Sequence, residues 1–434
     1  MRDRELTIVL LSSPTDCVDN DRTEQSLGLA YIASTLQAHN YAVQIVELTG
    51  YHNAELLTAL RTIPPANVYG LSCYSTNYQS VRQIVAHLRT VQPDAYLCLG
   101  GPHPTALPTE TLQELPIDSL VVGDGELAFL SIVNALAQGR RVTGIVNAIT
   151  PVHLDELPFP NRHLVDQNTF TRTLHRCRTL SLITSRGCRY RCLHCNSVVM
   201  GGSRRSVKFR STANVLAEIR ELKQMGYHAL RFSDDNFADN PDLANLLSAI
   251  AEENISYRIF SRLEHLTPAT VALLAASGCK LISIGLESLN PSNLRFLRKA
   301  SVLRCLANLE HTQRYGIPVR ASFMVGLPYD TDASIERFFV EASSLAFAEY
   351  AIYALLPYPG TPLWEQPGRY GYEIVDRDFT RYVQMGVGRK TAFVLKYTDP
   401  ETGYTFLPAD MERWHSMANA IFSTKRHMSE SPIG

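Results

Sequence analysis

Twice along the chain, short apolar runs rich in Val, Ile, Leu and Tyr alternate with amphipathic segments, and this pattern restricts the fold more than any other feature. The first series places strands at 6–11, 43–48, 68–73, 96–99 and 120–122, with helices at about 27–39, 54–61, 78–89, 108–115 and 126–138 between and after them. Five βα units in series predict a doubly wound parallel sheet of Rossmann or flavodoxin type. The second series places strands at 180–184, 229–232, 257–261, 281–285, 320–325 and 350–356. Helical patterns lie at about 213–225, 242–251, 268–276, 302–315 and 333–345. Six repeats fall short of the eight of a complete barrel, so the expectation is a partial (β/α)6 barrel of TIM type. From Gly139 to about Arg178 the periodicity lapses, and the alternating prolines around Leu157-Pro158-Phe159-Pro160 favour extended backbone. The division is therefore an α/β sheet domain over 1–140, a linker over 141–178, a partial barrel over 179–365 and a small extension over 366–434.

A length of 434 residues fits two or three domains. The formal charge of −1 gives no broad basic footprint for nucleic acid or an anionic membrane. No run of eighteen apolar residues is present, and 6–11 is too short for a signal-peptide core. Of the nine cysteines, six are scattered, which fits reduced thiols in the cytoplasm better than a disulfide framework. Cys73 and Cys98 fall within predicted buried strands and Cys17 is unassigned.

In a doubly wound sheet, ligands sit beyond the carboxyl ends of the strands. Three such loops are rich in small residues: Ser72-Cys73-Tyr74-Ser75-Thr76, Gly100-Gly101-Pro102-His103-Pro104-Thr105 and Gly123-Asp124-Gly125-Glu126. Glycine lets a ligand approach the backbone, and helix amino termini supply donors. The same residues also read as ordinary turns, and His103 as either a metal ligand or a packing residue.

Cys188, Cys192 and Cys195 follow the first strand of the second series and are close enough for one loop to carry all three thiolates. A closed zinc site or a simple electron-transfer cluster takes four ligands, so three leave one metal position open. The other readings are an incomplete zinc site with a distant fourth ligand, or ordinary cysteines. Further strand ends carry Ser233, Asp234, Asp235 and Asn236, then Arg262, then Glu287 and Ser288, then Gly326-Leu327-Pro328. They would suit a cofactor with an amino group, a carboxylate, a ribose and an adenine. The alternatives are a helix cap for the two aspartates, a surface ion pair for Glu287 and a bridge from Arg262 to Glu264.

The cysteine spacing, set after the first strand of a partial barrel, resembles the radical S-adenosylmethionine (SAM) superfamily. The Gly-Gly-Pro-His-Pro-Thr loop, the Val-Val-Gly-Asp-Gly-Glu turn, Phe232 to Phe237, Ile284 to Ser288 and Pro357 to Leu363 are similar to its subgroup with a cobalamin-binding domain. The resemblance covers about residues 5–365. It implies that Cys188, Cys192 and Cys195 hold a 4Fe-4S cluster whose open iron is chelated by SAM. Ser233, Asp234 and Asp235 would then lie near the amino group, Arg262 near the carboxylate, Glu287 near the ribose and His194 against the adenine. It also implies cobalamin at Ser72, Ser75, Thr76, Gly100, Gly101, Pro102, His103, Gly123, Gly125 and Glu126. The Asp-x-His-x-x-Gly signature is missing after the first strand, where Pro14-Thr15-Asp16-Cys17 stands, so cobalamin without a protein histidine is implied.

The activity implied is radical C-methylation of a small-molecule or natural-product intermediate, through a 5′-deoxyadenosyl radical and methylcobalamin. A low-potential donor such as flavodoxin or ferredoxin would supply the electron, with no nucleic acid or membrane partner. Non-methylating rearrangement, ring contraction or cyclisation, a sensor without turnover, and a methylthiotransferase whose second cluster uses Cys17, Cys73 and Cys98 are the alternatives. Trp364, Tyr370, Tyr372 and Tyr382 read as core or as a cover over a substrate. Tyr382–Tyr397 has a strand pattern, and Trp414–Phe422 a helical one.

Overall fold

The computed structural model describes residues 5–15, 18, 21–148, 153–200, 207–382, 392–422 and 425–427. Asp16 and Cys17 lie outside the described residues. The chain divides into two compact units, Met1–Thr171 with Asp378–Arg389, and Arg172–Arg377 with Lys390–Gly434.

Unit one is built on a parallel sheet of β1 (Ile8–Ser12), β2 (Val43–Glu47), β3 (Val68–Ser72), β4 (Tyr96–Gly100), β5 (Ser119–Val122) and β6 (Gly144–Asn147), in spatial order 2-1-3-4-5-6. That order is the flavodoxin-like one, with its topological switch between β1 and β3. Alternate residues serve opposite faces. Val9, Leu11, Leu97 and Leu99 pack on the helices Asn53–Leu60 and Tyr78–Val91. Ile8, Leu10, Tyr96 and Cys98 pack on Leu27–Ala38 and Glu126–Ala137. Burial on both faces explains why the strands read as unbroken apolar runs. The sheet has six strands rather than the five expected. The sixth, Gly144-Ile-Val-Asn147, is an edge strand with half its side chains exposed, so it carries too little apolar signal to stand out.

Unit two curls six parallel strands: β7 (Cys177–Leu182), β8 (Ala229–Phe232), β9 (Ser256–Ser261), β10 (Cys279–Glu287), β11 (Val319–Val325) and β12 (Glu349–Ala354), each paired with the next. Thr173–Leu174 adds an antiparallel edge and Arg426–His427 a parallel one. The partial-barrel reading therefore holds. One parity of these strands is apolar and packs under the helices, among it Leu180, Leu230, Ile259, Ile282, Ala321 and Ile352. The other parity carries Ser181, Arg258, Ser283, Arg320 and Glu349, all buried. Arg320 and Glu349 are register partners and form an ion pair at 2.6 Å, while Arg258 donates to Ser283 at 3.2 Å. Charges on these strands are a signal the sequence reading passed over.

After the barrel, Tyr372–Ile374, Leu395–Thr398 and Thr405–Phe406 form a small antiparallel sheet, and Pro408–Ile421 is the expected helix. Residues 383–391 of the expected strand region lie outside the described residues. Tyr372 and Tyr382 are buried, and the Tyr372 hydroxyl donates to the Gly326 carbonyl at 2.8 Å, as core packing requires. Among the described residues, no helix is long and apolar enough to cross a membrane.

Candidate functional site

In unit one the suspected loops converge because their strands are neighbours. Cys73 N–H donates to the Gly100 carbonyl at 2.8 Å, His103 N–H to the Cys73 carbonyl at 3.1 Å, and Gly123 N–H to Thr105 Oγ1 at 3.1 Å. At Gly101, with φ at +107°, an added Cβ would stand 2.8 Å from the Cys73 carbonyl oxygen, so only glycine fits. Gly125 has a duller cause, since a Cβ there would meet Ile32 at 3.1 Å. Ser72 and Gly100 are register partners at the ends of β3 and β4, Pro102 opens the short helix Pro102–Ala106, and Glu126 opens Glu126–Ala137. Ser75 and Thr76 lie in the turn before Tyr78–Val91.

His103 is packed among aromatic rings. Its ring is 2% exposed, lies 4.2 Å from the Tyr78 ring and 5.1 Å from the Phe379 ring, and has Nδ1 3.0 Å from Ser75 Oγ. Burial pushes its pKa down to about 4. Phe379, from the returning segment, was not legible as part of this loop cluster. The carboxyl ends of β1 and β2 were also missed. Buried Ser13 Oγ has no hydrogen-bond partner, the kind of vacancy a polar ligand fills, while Glu47 beside it accepts from Ser12 and Thr49. The switch-point rule points to this side of the sheet and could have found them.

In unit two the cysteine loop leaves the end of β7. Cys188, Cys192 and Cys195 are all free and half-buried. The loop turns through Cys195 N–H to Cys192 O at 3.3 Å and is pinned by Leu193 N–H to Leu297 O at 3.4 Å. Burial pushes the Cys188 thiol up to about 11 and raises that of Cys195, so a cationic centre is needed to hold them as thiolates. Among the described residues no His, Cys, Asp or Glu group converges on a single ion. A four-iron cluster asks for something else, one thiolate at each of three corners.

Arg262 reaches the loop from the end of β9. Its Nη1 donates to Cys192 Sγ at 3.3 Å, its guanidinium lies 3.9 Å from the Tyr190 ring centre, and Glu264 holds it by an ion pair. The bridge to Glu264 and the place beside the cysteines are thus both real. Ser301 also donates to Glu264. Asp234 is turned the other way. Its buried carboxylate accepts from Thr184 N–H at 3.0 Å, Thr184 Oγ1 at 2.8 Å and Ser185 Oγ, which ties the end of β8 to the strand end feeding the loop. Asp235 is exposed and accepts from Ser197 Oγ at 2.7 Å.

Glu287 ends β10 at a bulge, with φ at +64°. Lys299 Nζ lies 2.9 Å from its Oε1 and His194 Nε2 lies 3.9 Å from it. Burial alone would raise the Glu287 carboxyl, but Lys299 beside it holds it below the usual range. Burial pushes His194 down to about 4. The buried atoms His194 Nδ1, Ser233 Oγ and Asn236 Nδ2 have no hydrogen-bond partner. Asn236 Oδ1 meanwhile accepts from Arg262 N–H at 3.1 Å. Unused donors and acceptors beside three thiols fit a polar cofactor. Tyr190 and Lys299 belong to this cluster and were not singled out in the sequence, where Glu264 stood only as the alternative partner of Arg262.

Residues 182–342 match the Radical SAM superfamily and residues 21–133 the B12 binding domain. The chain therefore carries one stretch that matches the radical SAM superfamily, on the barrel strands and the cysteine loop, and one that matches the B12 binding domain, on the first sheet. It is 26% identical to an uncharacterized methyltransferase of Pyrococcus horikoshii, over 83% of each chain. It is 23% identical to cytidylyl-2-hydroxyethylphosphonate methyltransferase of Streptomyces wedmorensis, over 84% of this chain and 82% of that one. In fold it resembles the radical SAM methyltransferase TsrM of Kitasatospora setae, solved with cobalamin and a [4Fe-4S] cluster bound. The TM-score is 0.70 at 17% identity, over 96% of this chain and 88% of that one.

Proposed function

We propose that the protein is a cobalamin-dependent radical SAM methyltransferase acting on an unactivated carbon of a small molecule. The observation that carries this is the loop of three half-buried cysteines with Arg262 on Cys192, set beside the partnerless atoms of His194, Ser233 and Asn236. Its company with a B12-binding domain, and its relatives named as methyltransferases, support methyl transfer over a non-methylating radical reaction.

When bound, the cluster with SAM supplies a carbon radical, and cobalamin supplies the methyl group. Cys188, Cys192 and Cys195 would hold the cluster as thiolates. Arg262, fixed by Glu264 and Tyr190, is placed for a carboxylate. Glu287 is kept anionic by Lys299 and accepts from a ribose hydroxyl, and His194, held neutral, offers a flat face to adenine. Ser233 Oγ and Asp235 accept from an ammonium group, while Asp234 orders the strand ends behind them. In unit one, the loops after β3, β4 and β5 and the orphaned Ser13 hydroxyl are the cobalamin contacts. His103, enclosed by aromatic rings, is not offered to cobalt. The compartment is cytoplasmic, and the reductant is a low-potential carrier.

Anaerobic reconstitution with iron, sulfide and cobalamin, then reaction with SAM and a strong reductant, tests the proposal. Bound cobalamin at close to one per chain and formation of 5′-deoxyadenosine are expected. No 5′-deoxyadenosine from cluster-loaded protein would leave only a sensor.

A further inference from the structure

We infer that His265 is a positioning residue for the SAM carboxylate: with Asp239 behind it, it fixes the Tyr190 ring that lies on the face of Arg262. The inference rests on the cluster and SAM reading above. Arg262 is held within its own plane by hydrogen bonds, from Nε to Glu264 Oε1 at 3.1 Å and from Nη1 to Cys192 Sγ at 3.3 Å. Hydrogen bonds along the edge of a planar guanidinium leave its tilt out of that plane unopposed. The Tyr190 ring, its centre 3.9 Å from the guanidinium carbon, is what opposes that tilt.

A ring can do this only if it is itself held. Tyr190 stands midway between Cys188 and Cys192 and is half-buried, while the loop's apolar anchor is Leu193, 1% exposed. The Tyr190 hydroxyl lies 2.8 Å from His265 Nε2, with the two rings edge to face at 6.0 Å. His265 closes the turn Leu263–His265 that follows Arg262, so the ring and the hydroxyl of Tyr190 grip both ends of that turn. The same His265 nitrogen lies 3.6 Å from Asp239 Oδ1, and Asp239 Oδ2 is 2.6 Å from Nε of Arg189, the residue before Tyr190. Asp239 ends the turn Phe237–Asp239 directly after Asn236, which accepts from Arg262 N–H at 3.1 Å. The cysteine loop and the turns after β8 and β9 thus meet at His265. SAM on the cluster needs its carboxylate at a fixed distance from the cysteine loop, and an error of about 0.5 Å costs affinity. This brace sets that distance.

The test is equilibrium dialysis of SAM and, separately, of decarboxylated SAM against reconstituted wild type, H265F, Y190F and H265F/Y190F, with an iron assay on each. H265F and Y190F remove one hydrogen bond from its two ends and keep an aromatic ring in place. Each should weaken SAM binding about fivefold. The double variant should lose no more than either single one, because both break the same interaction. H265Q, whose amide can reach the Tyr190 hydroxyl, should return SAM affinity to within about twofold of wild type. Iron content should stay at the wild-type value, as should affinity for decarboxylated SAM, which gives Arg262 nothing to hold. The change that SAM makes in the electron paramagnetic resonance spectrum of the reduced cluster should need correspondingly more SAM in H265F and Y190F. Unchanged SAM affinity in H265F, equal losses for SAM and decarboxylated SAM, losses that multiply in the double variant, or loss of iron would each overturn the positioning role alone. Wild type that takes up no cluster, or binds no SAM once loaded, would sink the underlying functional reading and this inference with it.

Discussion

Asp234 and Asp235 are adjacent and chemically identical, yet their environments give them different work. Asp234 accepts from Thr184 and Ser185 in a buried site, so Asp234→Ala leaves buried donors unmade and should cost about 3 kcal/mol. Asp235→Asn, at an exposed position, should stay within about 0.5 kcal/mol of wild type. Urea midpoints of the two variants check this pair. His103 offers a second case. Its folded pKa of about 4 lies below the ordinary histidine value, so between about pH 6.5 and 4 the unfolded chain binds the extra proton. The stability from burying it neutral is present above pH 6.5 and is lost as pH falls toward 4, by up to about 3 kcal/mol. His103→Phe should flatten this part of the pH dependence, seen as a smaller difference between urea midpoints at pH 7.5 and pH 5.

At the scale of elements, the bulge at the end of β10 brings Gly285, Glu287 and Lys299 into one contact. A Cβ at Gly285 would stand 2.2 Å from Glu287 Oε1 and 2.8 Å from Lys299 Nζ. Gly285→Ala should therefore destabilise unit two by about 2 kcal/mol and weaken SAM binding, measured by thermal unfolding and equilibrium dialysis. Strand placement was legible because buried parallel strands announce themselves as apolar runs. The bulge was not, because the run Leu281–Gly285 carries no mark of where its register shifts. Nor was the inward face of the barrel, since Arg258, Arg320 and Glu349 take their meaning only from pleat parity.

For the molecule as a whole, the open question from sequence was one cluster or two. Cys73 belongs to the core on one face of the first sheet and Cys98 to the core on the other, and burial pushes the Cys98 thiol up to about 12. The two thiols diverge across the sheet and cannot share a cluster with each other. Reconstituted protein should thus carry about four irons per chain. Replacing Cys188, Cys192 and Cys195 together by Ala should abolish iron binding, whereas Cys73→Ala with Cys98→Ala should retain it. Iron assay on each variant decides, and about eight irons in wild type would restore the methylthiotransferase reading.

The sequence by itself determined the two alternating series, the parallel character of both sheets and the cysteine triplet at the end of a barrel strand. Those features repeat within a few residues, and local periodicity records them. The tertiary structure decided what each polar strand end faces. It turned Asp234 inward, gave Arg262 both Glu264 and Cys192, enclosed His103 between Tyr78 and Phe379, and parted Cys73 from Cys98. The direction of a side chain depends on partners far along the chain, and spacing holds no record of them.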